Sequence, residues 1–185
     1  MRKWILVAAL LQLTGCSAGT KEIDRAMALR SKLLQAETVS FDAEVTADYG
    51  DALYIFGMRC QGDTEGNVAF EVTAPETLSG ISGTVGEEGG SLTFEDTALS
   101  IRLLTEDQLN PVSAPWIFLQ TLRSGYLTSA GWEGDELRLT INDSYEEDAL
   151  QLDIWLGEGD LPQRAEILYD GKKILSLAVE NFEME

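Results

Sequence analysis

Hydrophobic positions follow three different rhythms along this chain. From Trp4 to Leu13 they run almost without a break, only Gln12 interrupting. After that they recur at helical spacing, with Ile23, Ala26, Met27, Leu33 and Leu34 on one side of a helix and Arg30 at its edge. Thr20 suits the N-cap, and Glu22 and Asp24 place negative charge at the positive end of the helix dipole. This amphipathic helix is expected to end between Gln35 and Thr38.

From Val39 onward the period changes to two. Val39, Phe41, Ala43, Val45, Ala47 and Tyr49 alternate with polar residues, which predicts a long strand with one dry face. Gly50 and Asp51 turn the chain, and Tyr54, Phe56, Met58 and Cys60 begin the return. Val68, Phe70 and Val72 predict a third strand. Val85, then Leu92 and Phe94, then Leu99, Ile101 and Leu103 predict others between glycine-rich turns.

A second helix interrupts this series. Pro115 fits a first helical position, where a missing N–H costs nothing, and Trp116, Leu119 and Leu122 follow at helical spacing until Gly125. Strands resume around Leu137 to Ile141, Leu150 to Leu156 and Ala165 to Tyr169. Asp170-Gly171 signals a tight hairpin into a last strand from Lys173 to about Phe182. The expected fold class is α+β, mainly antiparallel β. A flat sheet of this length would leave one face wet and both edges open, so a strongly curved, incomplete barrel with helices on its concave side is expected.

The first rhythm belongs to export. Arg2 and Lys3 precede the apolar run, which is shorter than the roughly 20 residues of a membrane span. Leu13-Thr14-Gly15-Cys16 follows it and resembles the lipobox of bacterial lipoproteins. That resemblance implies diacylglycerol on the Cys16 sulfur and cleavage before it; the plainer alternative is a secreted protein whose signal happens to end near a cysteine. The expected organisation is a signal peptide over 1–15, the lipidated cysteine and a short tether over 16–20, and one domain over 21–185. The tether reaches roughly 10–15 Å when extended, which holds the domain close to the membrane. The expected location is the outer face of the cell membrane, or a periplasm-facing leaflet if there are two membranes.

Charge narrows the partners. Removing residues 1–15 leaves 185 − 15 = 170 residues and 13 − 2 = 11 basic against 32 acidic side chains, a net charge of −21. Such a field argues against nucleic acid and against a peripheral protein held by anionic lipid, and reads most simply as a solubility surface. Lys21, Arg25, Arg30 and Lys32 cluster just after the tether, where they either face anionic headgroups or decorate a helix surface.

Catalytic chemistry finds little material. With no histidine, a Ser-His-Asp or Cys-His arrangement cannot be assembled, nor a zinc site of the usual His and Cys type. Cys60 has no partner once Cys16 is acylated and reads as a small buried hydrophobe. Asp143, Glu146, Glu147 and Asp148 lack calcium-loop spacing and read as a solvated hairpin tip. No enzyme activity, no metal and no cofactor beyond the acyl lipid on Cys16 are expected.

The stretch Leu161-Pro162-Gln163-Arg164-Ala165-Glu166-Ile167, through Asp170-Gly171 to Val179-Glu180-Asn181-Phe182, resembles the passage that closes the half-barrel of the LolA/LolB-like lipoprotein family. Phe70-Glu71-Val72 leading into Pro75 and Leu78-Ser79-Gly80 is similar to that family's middle strands. The resemblance spans most of the chain from Lys21 to Phe182. It implies about eleven strands around a hydrophobic cavity that in the best-known members shields the acyl chains of lipoproteins. Relatives include envelope-stress regulators and a germination lipoprotein that binds a cell-wall amidase. This chain differs from the soluble carriers in having its own anchor.

Phe56, Phe70, Trp116, Phe118, Trp132 and Trp155 supply aromatic surface that either builds core or lines such a cavity. Two functions of different class follow. One is a membrane-anchored binding protein that takes an acyl chain, lipid or lipidated protein, with the short tether placing its opening near the bilayer. The other is a scaffold that holds or activates an envelope enzyme such as an amidase, its acidic surface favouring a basic partner. An envelope sensor is a third possibility with no distinguishing sequence feature.

Overall fold

The computed structural model describes residues 20–94, 97–101, 104–105, 108–146 and 149–185. Cys16, Leu103, Glu147 and Asp148 lie outside the described residues. A first helix, α1 (Thr20–Gln35), leads into β1 (Val39–Asp48), β2 (Leu53–Gly62), β3 (Val68–Ala74), β4 (Ser82–Gly86), β5 (Gly89–Phe94) and β6 (Thr97–Ile101). A small hairpin of β7 (Leu104–Thr105) and β8 (Gln108–Leu109) precedes α2 (Ala114–Ser124). The chain then adds β9 (Tyr126–Glu133), β10 (Glu136–Asn142), β11 (Gln151–Leu156), β12 (Pro162–Tyr169) and β13 (Lys172–Met184).

Eleven strands form one antiparallel sheet in the order β6-β5-β4-β3-β2-β1-β13-β12-β11-β10-β9, with β7 and β8 paired apart. The order explains the role of α2. Successive hairpins carry the chain outward from β1 to one edge at β6, and it must then reach the opposite edge at β9. That crossing passes through the concavity, so α2 is buried along most of its length, including Ile117, Phe118, Leu119 and Leu122. Phe118 meets Phe41 of β1 edge-on at 5.5 Å and Phe182 of β13 at 6.4 Å. β6 and β9 do not pair, and the barrel is incomplete.

The alternation read from the sequence is the burial pattern found. Val39, Phe41, Ala43, Val45 and Ala47 of β1 all point inward. Each lies opposite an inward residue of β2, as in the pairs Phe41 with Cys60 and Val45 with Phe56. Asp170-Gly171 forms the hairpin turn with both residues at positive φ. Asn181 also adopts a left-handed conformation (φ 52), at a bulge where β13 slips against Ser40 and Asp42 of β1. Its side chain donates to Asp42 Oδ2 at 2.7 Å.

The inward face of α1 differs from the stripe expected. Ala26, Leu29, Leu33 and Ala36 are buried, whereas Ile23, Met27 and Leu34 are exposed. Both sets have helical spacing, and the partners decide between them. Arg25 pairs with Asp160 and stacks 4.8 Å over the Trp132 ring, while Arg30 Nε donates to the Leu122 carbonyl at 2.8 Å. These ties fix the rotation of α1 and turn Leu29 inward.

Candidate functional site

At the far end of β1 the alternating pattern outlasts the strand, and Tyr49 still points to the concave side. The turn that follows is held by Tyr49 N–H donating to the Ala52 carbonyl at 3.0 Å and Gly50 N–H to Asp48 Oδ1 at 2.8 Å. Gly50 has φ 88, a conformation glycine adopts without steric cost. Tyr54 and Phe56 of β2 lie opposite Ala47 and Val45, on the same concave face.

A second wall comes from the approach to α2. Asn110 Oδ1 accepts from Val112 N–H at 3.2 Å, which caps the 3-10 turn Pro111–Ser113. The two walls are joined by one bond, Tyr49 Oη donating to the Leu109 carbonyl at 2.7 Å. Partial burial, then the neighbouring Tyr54, push the Tyr49 phenol above its ordinary value, so it remains a donor at neutral pH. Tyr49 and Tyr54 stand edge to face at 6.2 Å.

Between these walls lies a solvent-open cavity of about 590 Å³ lined by Tyr49, Tyr54, Phe56, Leu109 and Val112, with Asp51 and Asn110 as its polar residues. A volume of this order accommodates a small apolar ligand. A smaller recess of about 240 Å³ lies on another side of Leu109, among Trp116, Ile117, Thr121 and Leu150. The aromatic and aliphatic parts of both linings offer apolar burial, beside Asp51 and Asn110 in the larger and Glu87 and Asp143 in the smaller.

The residues singled out from the sequence separate into distinct roles. Phe56 lines the larger cavity and Trp116 the recess, where its indole N–H donates to the Gly66 carbonyl at 2.9 Å. Phe70 and Phe118 are buried in the core, Phe70 filling the space left by Gly83 on β4. Trp132 is half exposed on the edge strand beneath Arg25.

Trp155 does not line the concave side. Leu152, Ile154 and Leu156 of β11 take the inward positions, which leaves Trp155 on the convex face. There it is buried under Arg164 at 3.7 Å, with Arg138 at 5.3 Å and its indole N–H donating to Glu133 at 3.0 Å. Beside it the buried Asp153 accepts from Arg138 at 2.7 Å and Thr140 at 2.8 Å. The bond to Asp153 raises Arg138 above its ordinary value.

Tyr49 and Tyr54 were legible only as strand residues, and Leu109 and Val112 carried no signal at all. Leu109 meets Tyr49 across 60 positions of sequence, and no local pattern reports such a contact.

No protein-family model matches the chain, and no curated protein matches it. Among solved structures, it is similar to a domain from Vibrio parahaemolyticus described as an outer membrane lipoprotein-sorting protein. The identity is 10% and the TM-score 0.51, covering 90% of this chain and 93% of the other. A LolA superfamily protein from Nitrosomonas europaea matches at 9% identity and TM-score 0.43, over 86% and 93% of the two chains. The Mycobacterium tuberculosis lipoprotein LppX matches at 13% and 0.42, over 88% and 93%. The first of these similarities establishes a shared fold.

Proposed function

We propose that this chain is a membrane-anchored envelope lipoprotein that binds an acyl chain, free or attached to a lipid or protein, and performs no catalysis. The observation that carries this reading is the cavity between Tyr49, Tyr54 and Phe56 on one side and Leu109 and Val112 on the other. Each methylene moved from water into such a site contributes about 0.8 kcal/mol. The Cys16 motif supports the anchor, and the fold shared with a lipoprotein-sorting domain supports the ligand class.

Native mass spectrometry on residues 19–185, expressed without the anchor, tests it. The expected spectrum contains added mass matching a fatty acid or phospholipid. Val112→Trp, which fills the cavity, is expected to lose most of that added mass with an unchanged melting temperature. An apo mass for the wild-type chain, or equal retention by Val112→Trp, sinks the proposal.

A second reading rests on a different feature. β9 forms one edge of the sheet, is exposed along most of its length and carries no charge before Glu133. An edge of that kind can pair with an extended segment of another protein. In this reading the chain is a scaffold for an envelope protein, and a basic partner suits the acidic surface. Recovery of one stoichiometric protein with the chain from native membranes supports it; recovery of background alone counts against it.

A further inference from the structure

The exposed surface of α1 carries one apolar stripe beside its polar residues Asp24, Ser31 and Gln35. Ile23, Met27 and Leu34 are 44%, 47% and 65% exposed. With Arg30 they fall at spacings of four, three and four residues, a single stripe along the helix. Arg30 does not interrupt that stripe with free charge, because its guanidinium turns back to the Leu122 carbonyl.

Two further observations identify what meets this stripe. The first is position: α1 begins at Thr20, four residues after Cys16, and four extended residues span at most about 14 Å. Any membrane that holds Cys16 is therefore within reach of the helix. The second is charge. α1 carries Lys21, Arg25, Arg30 and Lys32 against Glu22 and Asp24, a net +2, while residues 16–185 together carry −21. Arg25 is paired with Asp160, and Lys21 and Lys32, though exposed, lie on the side of the helix away from the stripe, so their attraction acts across the helix rather than at the apolar contact. An anionic leaflet attracts this element and repels the remainder of the domain.

The sheet then sets where the cavity stands. α1 ends beside Val39, and its Arg25 holds Asp160 at the start of β12, two strands from β1 at that same end. β1 runs ten residues from Val39 before the chain reaches Tyr49. At about 3.3 Å per residue the cavity lies roughly 30 Å along the strand from the helix.

We propose that the Ile23–Met27–Leu34 stripe of α1 rests in the surface of the bilayer that carries the Cys16 anchor, so that the cavity mouth faces away from that bilayer at the opposite end of β1. This rests on the reading of Cys16 as lipid-bearing. It reverses the expectation that a short tether brings the opening to the membrane, and it makes the cavity accessible to ligand arriving from the aqueous side.

Depth-sensitive labelling of the full chain tests the arrangement. Cys60 is buried with its thiol pushed up to about 12, so it does not compete for label when Cys16 is acylated. Leu34→Cys and Leu53→Cys, both at exposed positions, are each labelled with an environment-sensitive fluorophore. The chains are reconstituted into phosphatidylcholine vesicles containing a minority of phosphatidylglycerol and spin-labelled lipid. Met27→Cys provides a second label in the stripe, and circular dichroism verifies each fold.

The label at 34 should shift to the blue and be quenched several-fold more than the label at 53. Equal quenching at the two sites, or stronger quenching at 53, overturns the arrangement. The intact mass of the chain from native membranes separates the two causes of failure. A chain without lipid on Cys16 removes the anchor and this inference with it; a lipidated chain whose label at 34 stays in water removes this inference alone.

Discussion

Cys60 shows how far a single residue is governed by its face of the sheet. It points inward from β2 opposite Phe41 and Phe70, and burial, then the Asp42 carboxylate, push its thiol up to about 12. In the unfolded chain the thiol ionises near its ordinary value of 9.0, while the folded chain holds it neutral. Between those values the unfolded state binds fewer protons, so stability is intact below pH 9 and is lost as pH rises through the window, at about 1.4 kcal/mol per pH unit from this group. Urea unfolding at pH 8 and again midway through that window should show a smaller decline for Cys60→Ala than for wild type. Equal declines would mean that the thiol ionises freely in the folded state. The inward placement was readable from alternation alone. The alternation of Leu152, Ile154 and Leu156 with Gln151, Asp153 and Trp155 likewise points Trp155 outward; what it leaves unmarked is the pair of arginines that cover the ring there.

The same ambiguity operates at the scale of an element in α1. Ile23, Met27 and Leu34 on one side, and Ala26, Leu29 and Leu33 on the other, are both valid helical stripes. The structure buries the second against the sheet through ties to Asp160, Trp132 and Leu122, residues that follow α1 by about a hundred positions. Adjacent leucines therefore differ sharply in their energetic roles. Leu33→Ala is expected to cost about 2–4 kcal/mol, since it opens a hole in the core. Leu34→Ala should change stability by less than about 0.5 kcal/mol. Chemical denaturation of the soluble domain measures both, and comparable losses would mean that α1 is rotated from the orientation described. α2 was more legible, because Pro115 and Gly125 mark its ends and its apolar residues surround it on most sides.

At the scale of the whole molecule, 32 acidic side chains against 11 basic ones over residues 16–185 set up a repulsion that folding must overcome. The ion pairs of the convex face, such as Arg164 with Glu136 and Lys173 with Glu166, relieve it locally. Acids outnumber bases almost threefold, so such pairs relieve only part of it. Raising the salt concentration shortens the reach of like-charge repulsion and is expected to raise the melting temperature by a few degrees. A melting temperature that falls with salt would mean that the ion pairs outweigh the net repulsion.

The order of amino acids by itself determined most of the local structure: the alternation of β1, β3 and β10, the Asp170-Gly171 hairpin and the Pro115-led helix. Each depends on contacts within a few residues or on a periodicity that one face of an element imposes. The curvature was foreseen because a domain with so many hairpins must close its apolar face somewhere. Tertiary structure decided which side of α1 is buried, which arginines cover Trp155, and which aromatic residues surround a cavity. It made those choices because Tyr49 meets Leu109, and α1 meets Asp160 and Leu122, only after the chain has crossed from one sheet edge to the other. A contact that depends on that crossing leaves no periodic trace in the sequence on either side of it.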